Sequence, residues 1–442
     1  MTPQTQTQAG AARQRRSTIG AFVGTAIEWY DFYIFGTAAA LAFGKVFYPN
    51  VDAASALMAS FATFWVGFLA RPIGGAIFGH IGDRVGRKNT LVVTLVMMGT
   101  ATALIGVLPT YAQIGVAAPI LLIVLRALQG IAVGGEWGGA VLMATENASD
   151  KKKGFSGSWV QQGSPAGSIL ATLAFMAAST LPNDQFLSWG WRVPFLCSAV
   201  LVLVGLIIRL KTEESSDFLA AKKSNAIVKT PVLEVLKTSP GIVILGIAAS
   251  VTAISQAYFT NTFLLAWTTG PLKIDRQTML SILLAMSVMQ FIWQPFAALL
   301  AERIGRQKVM LGGLGLALIS VVPFFLAISS GNIAFIAVTL GLSIFGGSTY
   351  YSLLAMSLAA AFPANIRYTG VSLSYQLCSS VIGGSTPLIA QWILTSTGGS
   401  PWGLAFFMAM IFAITMYGVL KLNRIAIRPQ HEAASASVAP AR

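Results

Sequence analysis

Runs of about twenty apolar residues recur along the whole chain, and each is long enough to cross the roughly 30 Å hydrocarbon core of a bilayer as a helix. Twelve can be delimited, at 18–43, 55–80, 89–110, 117–144, 156–180, 189–210, 240–268, 278–300, 308–329, 332–356, 368–395 and 401–423. Of the 442 residues 55% are hydrophobic and only 10% are charged, whereas a soluble domain carries about 25% charged residues. Too few charges remain to coat a water-facing surface, so the expected solvent is lipid.

The net charge of +14 could suggest a nucleic-acid partner. Its distribution argues against one. Basic residues gather in short clusters between every second pair of apolar runs: Arg13, Arg15 and Arg16; Arg84, Arg87 and Lys88; Lys151 to Lys153; Lys211 to Lys237; Arg303, Arg306 and Lys308; Arg367; and Lys421, Arg424 and Arg428. The alternate connections hold only Lys45, Arg192, Lys273 and Arg276. That asymmetry follows the positive-inside rule and predicts an inner-membrane, multi-pass protein with both termini cytoplasmic. Cys197 and Cys378 lie singly in apolar segments and suggest no disulfide or metal site. No cleavable signal is expected, because the first apolar run is long enough to remain in the membrane.

The two halves of the chain echo each other. Asp83–Lys88, DRVGRK, returns as Glu302–Gln307, ERIGRQ, and Lys153–Gln162 has a weaker echo at Arg367–Gln376. Parallel six-helix repeats are the build of one large transporter architecture, with the substrate site near the midplane between the repeats. The expected division is a tail 1–17, a six-helix bundle 18–210, a linker 211–239, a second bundle 240–423 and a tail 424–442. In the repeated turn, Gly79, Gly82 and Gly86 permit close helix approach. Asp83 can accept hydrogen bonds from a neighbouring helix, while Arg84 and Arg87 stay in water. Gly79, Asp83, Arg84, Gly86 and Arg87, with Glu302, Arg303, Gly305 and Arg306 in the second copy, are therefore expected to form a cytoplasmic gate. His80, beside Asp83, is expected to cap or pack there.

Charges within the apolar runs are the strongest pointer to function. Glu28 and Asp31 stand three residues apart, on one helix face near mid-depth. Arg126 lies about nine residues into its run, roughly 13 Å deep, and Arg71 roughly 18 Å from the inner surface. Glu136 lies about 15 Å from Arg126 toward the cytoplasm. Charges at such depth are costly and mark substrate or proton pathways; burying four for stability alone is a poor solution. A desolvated carboxylate holds its proton more tightly and a nearby arginine releases it, so Asp31, Glu28 and Glu136 are candidate proton carriers, with Arg126 and Arg71 as anion sites.

Glu28–Gly36 (EWYDFYIFG), Phe61–Lys88, Leu125–Ala140 (LRALQGIAVGGEWGGA) and Ser188–Phe195 (SWGWRVPF) together resemble the metabolite:proton symporters of the major facilitator superfamily, nearest to the shikimate-type members. The resemblance covers nearly the whole chain. It implies an all-α integral membrane protein of twelve helices in two six-helix bundles that works by alternating access. It also implies proton-coupled import of a small organic acid or zwitterion. The second half departs from the shikimate-type pattern in lacking buried charge in helices 7, 8, 10 and 11. Neutral groups take its place, and Gln256, Tyr258, Asn261, Gln290, Gln294, Tyr350, Tyr375 and Gln376, with Tyr30, Gln129 and Gln161 from the first half, are expected to line the cavity. The short polar tail lacks the heptads of osmosensing betaine carriers. The rival readings are a proton-coupled exporter of the same fold and a membrane metabolite sensor that does not transport. No nucleophile–base set suggests an enzyme, no cofactor or metal is expected, and the protein is expected to act as a monomer with protons, a small carboxylate or zwitterion, and lipid as its partners.

Overall fold

In the computed structural model, described over residues 3–85, 87–146, 161–210, 231–363 and 366–438, every regular element is a helix. α1 runs Pro3–Ala38 and continues through a π-helical turn, Ala39–Phe43, into Gly44–Phe47. α2 is Ala53–Leu69 carried on by Arg71–Val85, α3 is Arg87–Val107 and α4 is Ala117–Glu146. α5 is Gly163–Ala178 and α6 is Val193–Leu210. In the second half, α7 joins Pro240–Tyr258, a π-helical Phe259–Leu264 and Leu265–Thr269, and α8 is Arg276–Ile304. α9 joins Arg306–Ile319 to Val321–Ser330, and α10 is Ile333–Ala361. α11 joins Arg367–Cys378, a π-helical Ser379–Gly383 and Thr386–Ser396, and α12 is Trp402–Val438.

Among the described residues ten helices are long and apolar enough to cross a membrane, and Gly163–Ala178 is a shorter apolar one. The helix that holds Glu28 and Asp31 completes the twelve. Helix also occupies most of the segments expected as tails, from Pro3 at one end to Val438 at the other. The end of the expected linker forms a helix of its own, Pro231–Thr238, which turns Val235 inward.

Packing groups the chain into two units. The first holds Met1–Ile227, Ser255–Ile292 and Ser379–Leu404; the second holds Val228–Ile254, Trp293–Cys378 and Ala405–Arg442. The units therefore divide α7, α8 and α11 partway along their length and separate the first turn of α12 from the rest. The divisions of α7, α8 and α11 lie at or near helix defects: the π-helical Phe259–Leu264, Pro295, and the π-helical Ser379–Gly383. A π-turn or a proline removes regular hydrogen bonds and lets a helix bend there.

The exposed faces are apolar. Ile73, Val93, Val107, Ile120, Val200, Leu203, Ile319 and Phe406 are all more than half exposed. In water such patches would drive aggregation; against acyl chains they need no cover. This is where the shortage of charge in the sequence finds its use.

Inside the first unit, α2 and α4 meet backbone to backbone. A Cβ added at Gly130 would lie 1.9 Å from the Gly67 carbonyl oxygen, at Gly134 2.0 Å from that of Arg71, and at Gly74 1.8 Å from that of Ile131. With hydrocarbon outside, close packing is the main force available between helices, and small residues permit it. Around α1 the rings of Phe35, Phe43, Phe47, Trp191 and Phe195 interlock with centroids 5.1 to 6.4 Å apart. Arg192 follows Trp191 and donates from Nη1 to the carbonyls of Gly106 and Leu108, at 3.1 and 2.6 Å. It closes the C-terminus of α3, where carbonyls lack helical partners. At the start of α2, Asp52 accepts from the amides of Ala54 and Ser55. Hydrogen bonds from Ser55 hold its carboxyl below the ordinary carboxylate value.

Gly130→Ala should force α2 and α4 apart and destabilise the protein by about 1–3 kcal/mol, the usual cost of overpacking. Gly241→Ala, where nothing lies within 4 Å of an added Cβ, should be neutral or slightly stabilising. Thermal unfolding of the two variants in detergent gives the comparison.

Candidate functional site

The charged layer expected in the first half is assembled from α1, α2, α3, α4 and α6. Asp31 is 1% exposed. Its Oδ1 accepts from the Ser198 hydroxyl on α6 at 2.5 Å, and its Oδ2 accepts from the Thr102 hydroxyl on α3 at 2.9 Å. Thr102 Oγ1 in turn accepts from Gln129 Nε2 at 2.6 Å, and Gln129 Oε1 accepts from Arg126 Nη1 at 3.1 Å. Gln129 and Arg126 are three residues apart on α4, so they share a face. An unbroken chain of hydrogen bonds thus runs from the arginine of α4 to the acid of α1.

Arg126 is fully buried. Its Nε donates to the Phe64 carbonyl at 3.2 Å, and Gly67 makes room for it, since a Cβ there would lie 2.5 Å from Nε. The rings of Phe32, Phe35 and Phe64 approach the guanidinium carbon at 4.4, 4.2 and 4.9 Å. The Arg71 guanidinium carbon lies 4.3 Å from the same Phe32 ring and 4.4 Å from Phe68. Its Nη1 donates to the Ser379 hydroxyl at 3.0 Å. Arginine stacks readily on ring faces and sheds water more easily than lysine, which suits it to such a lining. Two cations therefore share one phenyl ring, and among the described residues two buried N–H groups, Nε in Arg71 and Nη2 in Arg126, have no hydrogen-bond partner. A buried polar group is normally satisfied, by protein or by ordered water.

α2 presents Trp65, Phe68 and Arg71 on one face. Trp65 Nε1 donates to the Ser380 carbonyl at 2.7 Å, and Phe68 packs against Gly384. The π-helical turn of α11 is thereby docked beside Arg71. Tyr258, on α7, is packed among Trp29, Tyr33, Phe64 and Phe68 with ring centroids 5.1 to 6.2 Å apart. Ser168 on α5 meets Ser287 on α8 at 2.8 Å and Asn261 on α7 at 3.4 Å.

Glu28 is buried on α1, one turn before Asp31. Of the other expected residues, Tyr30 and Tyr350 are buried, but their hydroxyls donate to backbone carbonyls, of Pro194 and Ala249. Both tyrosines serve as helix ties in this arrangement rather than as open ligand groups. Gln256 is buried and belongs to the first unit with Asn261 and the partly exposed Gln290; Gln294, Tyr375 and Gln376 belong to the second. In Gln294 and Gln376 the amide oxygen lacks a partner. Gln161 is partly exposed, and its neighbour Gln162 is the more telling residue. Gln162 is 3% exposed, and among the described residues neither of its amide atoms has a partner.

Thr102, Ser198, Ser379, Ser287 and Gln162 were not singled out by sequence reasoning. Lone hydroxyls are common in membrane helices, and nothing local separates one that faces a carboxylate from one that bonds its own helix. The Gln161-Gln162 pair did carry a signal, though not which member turned inward. Gly86 and the side chains of Asp83, Arg84, Arg87 and Glu136 lie outside the described residues. Gly79 lies within the helix Arg71–Val85 and His80 is exposed. In the second copy of the turn, Gly305 adopts φ +96° just before α9, a conformation suited to glycine, and Arg306 donates to the Met356 carbonyl at 2.9 Å. Glu302 and Arg303 are exposed.

Known proteins agree with this architecture. The family model described as sugar (and other) transporter matches residues 17–268 and 255–433. The chain is 41% identical over 401 residues to the shikimate transporter of Escherichia coli K12, covering 90% of this chain and 92% of that protein. It is 40% identical to the inner membrane metabolite transport protein YhjE of the same organism, covering 91% and 92%. It is 33% identical to the proline/betaine transporter of that organism, covering 94% and 84%. Among solved structures, a D-xylose-proton symporter superposes with a TM-score of 0.72 at 16% identity, over 92% of this chain and 96% of that one. Fold, span and sequence agree: this chain belongs to the sugar (and other) transporter family and has the major facilitator fold.

Proposed function

We propose that this transporter imports a small metabolite bearing a carboxylate, as an organic acid or a zwitterion, by proton symport across the inner membrane, with both termini cytoplasmic. The carrying observation is the pair of buried arginines around Phe32, each with an N–H that no group among the described residues accepts. A carboxylate offers acceptors for those N–H groups in the paired geometry that arginine favours. Shikimate, proline and betaine, which appear in the names of two of these relatives, each carry one such group.

Asp31 is the proposed proton carrier. A substrate anion beside Arg126 would offset the positive field that keeps Asp31 ionised. Proton and anion would then be taken up together, which is the sign that symport requires. Neutral groups such as Gln162 and Gln256 would serve hydroxyls or an ammonium. On this reading Glu28, at 6% exposed, tunes the field on the same helix face.

Proteoliposomes loaded at pH 7.5 and diluted to about pH 6 test the proposal with labelled shikimate, proline and glycine betaine offered singly. At least one should accumulate above its outside concentration, and a protonophore should abolish that accumulation. Uptake indifferent to the pH gradient overturns the proton-coupled reading, and net efflux under the same gradient favours an exporter. Asp31→Asn should lose uphill accumulation while retaining exchange between pre-loaded and external substrate. Arg126→Lys should weaken binding of the accepted substrate by roughly 10- to 100-fold, the effect of losing one charge-assisted hydrogen bond; equilibrium titration reads it directly.

A further inference from the structure

We propose that Gln129 and Thr102 are a relay through which the state of Arg126 governs protonation of Asp31, a role that rests on Asp31 being the proton carrier. Arg126 and Asp31 need no direct contact for this, because two neutral side chains join them. Gln129 accepts from the guanidinium with its oxygen and donates to Thr102 with its nitrogen. An amide whose oxygen accepts from a cation becomes a stronger donor, and hydrogen bonds in such chains reinforce one another. Thr102, so polarised, is a better donor to the Asp31 carboxylate. When an anion draws Arg126 away from Gln129, each of these bonds weakens and the carboxylate gains affinity for a proton.

Thr102 has the geometry of a two-position switch. Its Oγ1 lies 2.9 Å from Asp31 Oδ2 and 2.9 Å from the Met98 carbonyl oxygen. It has one hydrogen and two lone pairs, so it can donate to only one of these acceptors. With Asp31 ionised, the hydrogen goes to Oδ2. When Oδ2 takes up a proton, the new O–H donates to Thr102 Oγ1, and the Thr102 hydrogen turns to Met98. Thr102 continues to accept from Gln129, and Ser198 continues to donate to Oδ1. The Thr102 hydroxyl and Asp31 Oδ2 therefore keep each other as partners in both states, and the proton comes and goes without breaking that link.

Among the described residues, the buried charged or titratable side chains on the elements packed around Asp31 are Glu28, Tyr30 and Tyr33 on α1, Arg71 on α2, Arg126 on α4 and Tyr258 on α7, with Cys197 exposed on α6. α3 carries no titratable side chain between Asn89 and Val107, and α5 carries none between Gly163 and Ala178. Tyr30 is committed to the Pro194 carbonyl, and Arg71 to Ser379.

Infrared titration of the full-length protein in lipid reads the relay without any substrate. The carboxyl band lost in Asp31→Asn identifies Asp31. In Thr102→Val the midpoint of that band should move about one pH unit toward alkaline, a tenfold gain in proton affinity from losing one hydrogen bond to the ionised form. Thr102→Ser should restore it. The decisive variants are Gln129→Leu and Gln129→Met, which remove the link without removing a group bonded to the carboxyl; both should shift the midpoint in the same direction by a smaller amount. Midpoints unmoved by the Gln129 variants overturn the relay, even if Thr102→Val shifts. If Asp31→Asn still accumulates substrate uphill, the carrier assignment fails instead.

Discussion

Two guanidinium groups with little water around them set the terms for the first unit. An isolated cation at this depth would be severely destabilised, and ion pairing alone rarely recovers the loss of hydration. Here the charge is held by ring faces, by one backbone carbonyl, by Gln129 and by Ser379. That lining explains several features at once. The phenylalanines at 32, 35, 64 and 68 converge from α1 and α2 because the cations require polarisable walls. Gly67 lacks a side chain because Arg126 lies across it. The residues of the motif are thus constrained by one another rather than by a shared sequence rule.

A site built this way stays responsive. Interposing an amide and a hydroxyl leaves each end able to change state while remaining bonded. The remaining N–H groups on the two arginines give an incoming anion something to complete. Under the proposed function, substrate recognition and proton handling are parts of one hydrogen-bonded system, separated by a single turn of α4 and one residue of α3.

The defects in α7, α8 and α11 belong to the same picture. Helices with uninterrupted hydrogen bonding transmit force as rods, whereas π-turns and a proline give places to bend. The turn of α11 supplies the hydroxyl that Arg71 bonds and the carbonyl that Trp65 bonds. Arg71 is therefore bonded directly to the π-helical turn of that helix. Membrane helices tolerate such interruptions where the freed backbone groups find partners in the protein, and Trp65 is one of those partners.

Much of this molecule can be read along one dimension. Lipid as solvent and the twelve helices follow from local quantities, run length and charge spacing, and the presence of Glu28, Asp31, Arg71 and Arg126 inside apolar runs is legible in the same way. The family motifs added the transporter architecture. Pairing across the bundle is of another kind. That Thr102 and Ser198 grip Asp31, that Gln129 bridges to Arg126, and that Tyr30 and Tyr350 tie backbones together depend on how separate helices rotate and approach. Those rotations are set by glycine contacts and ring packing summed over many residues far apart in the chain, so no window of sequence contains them.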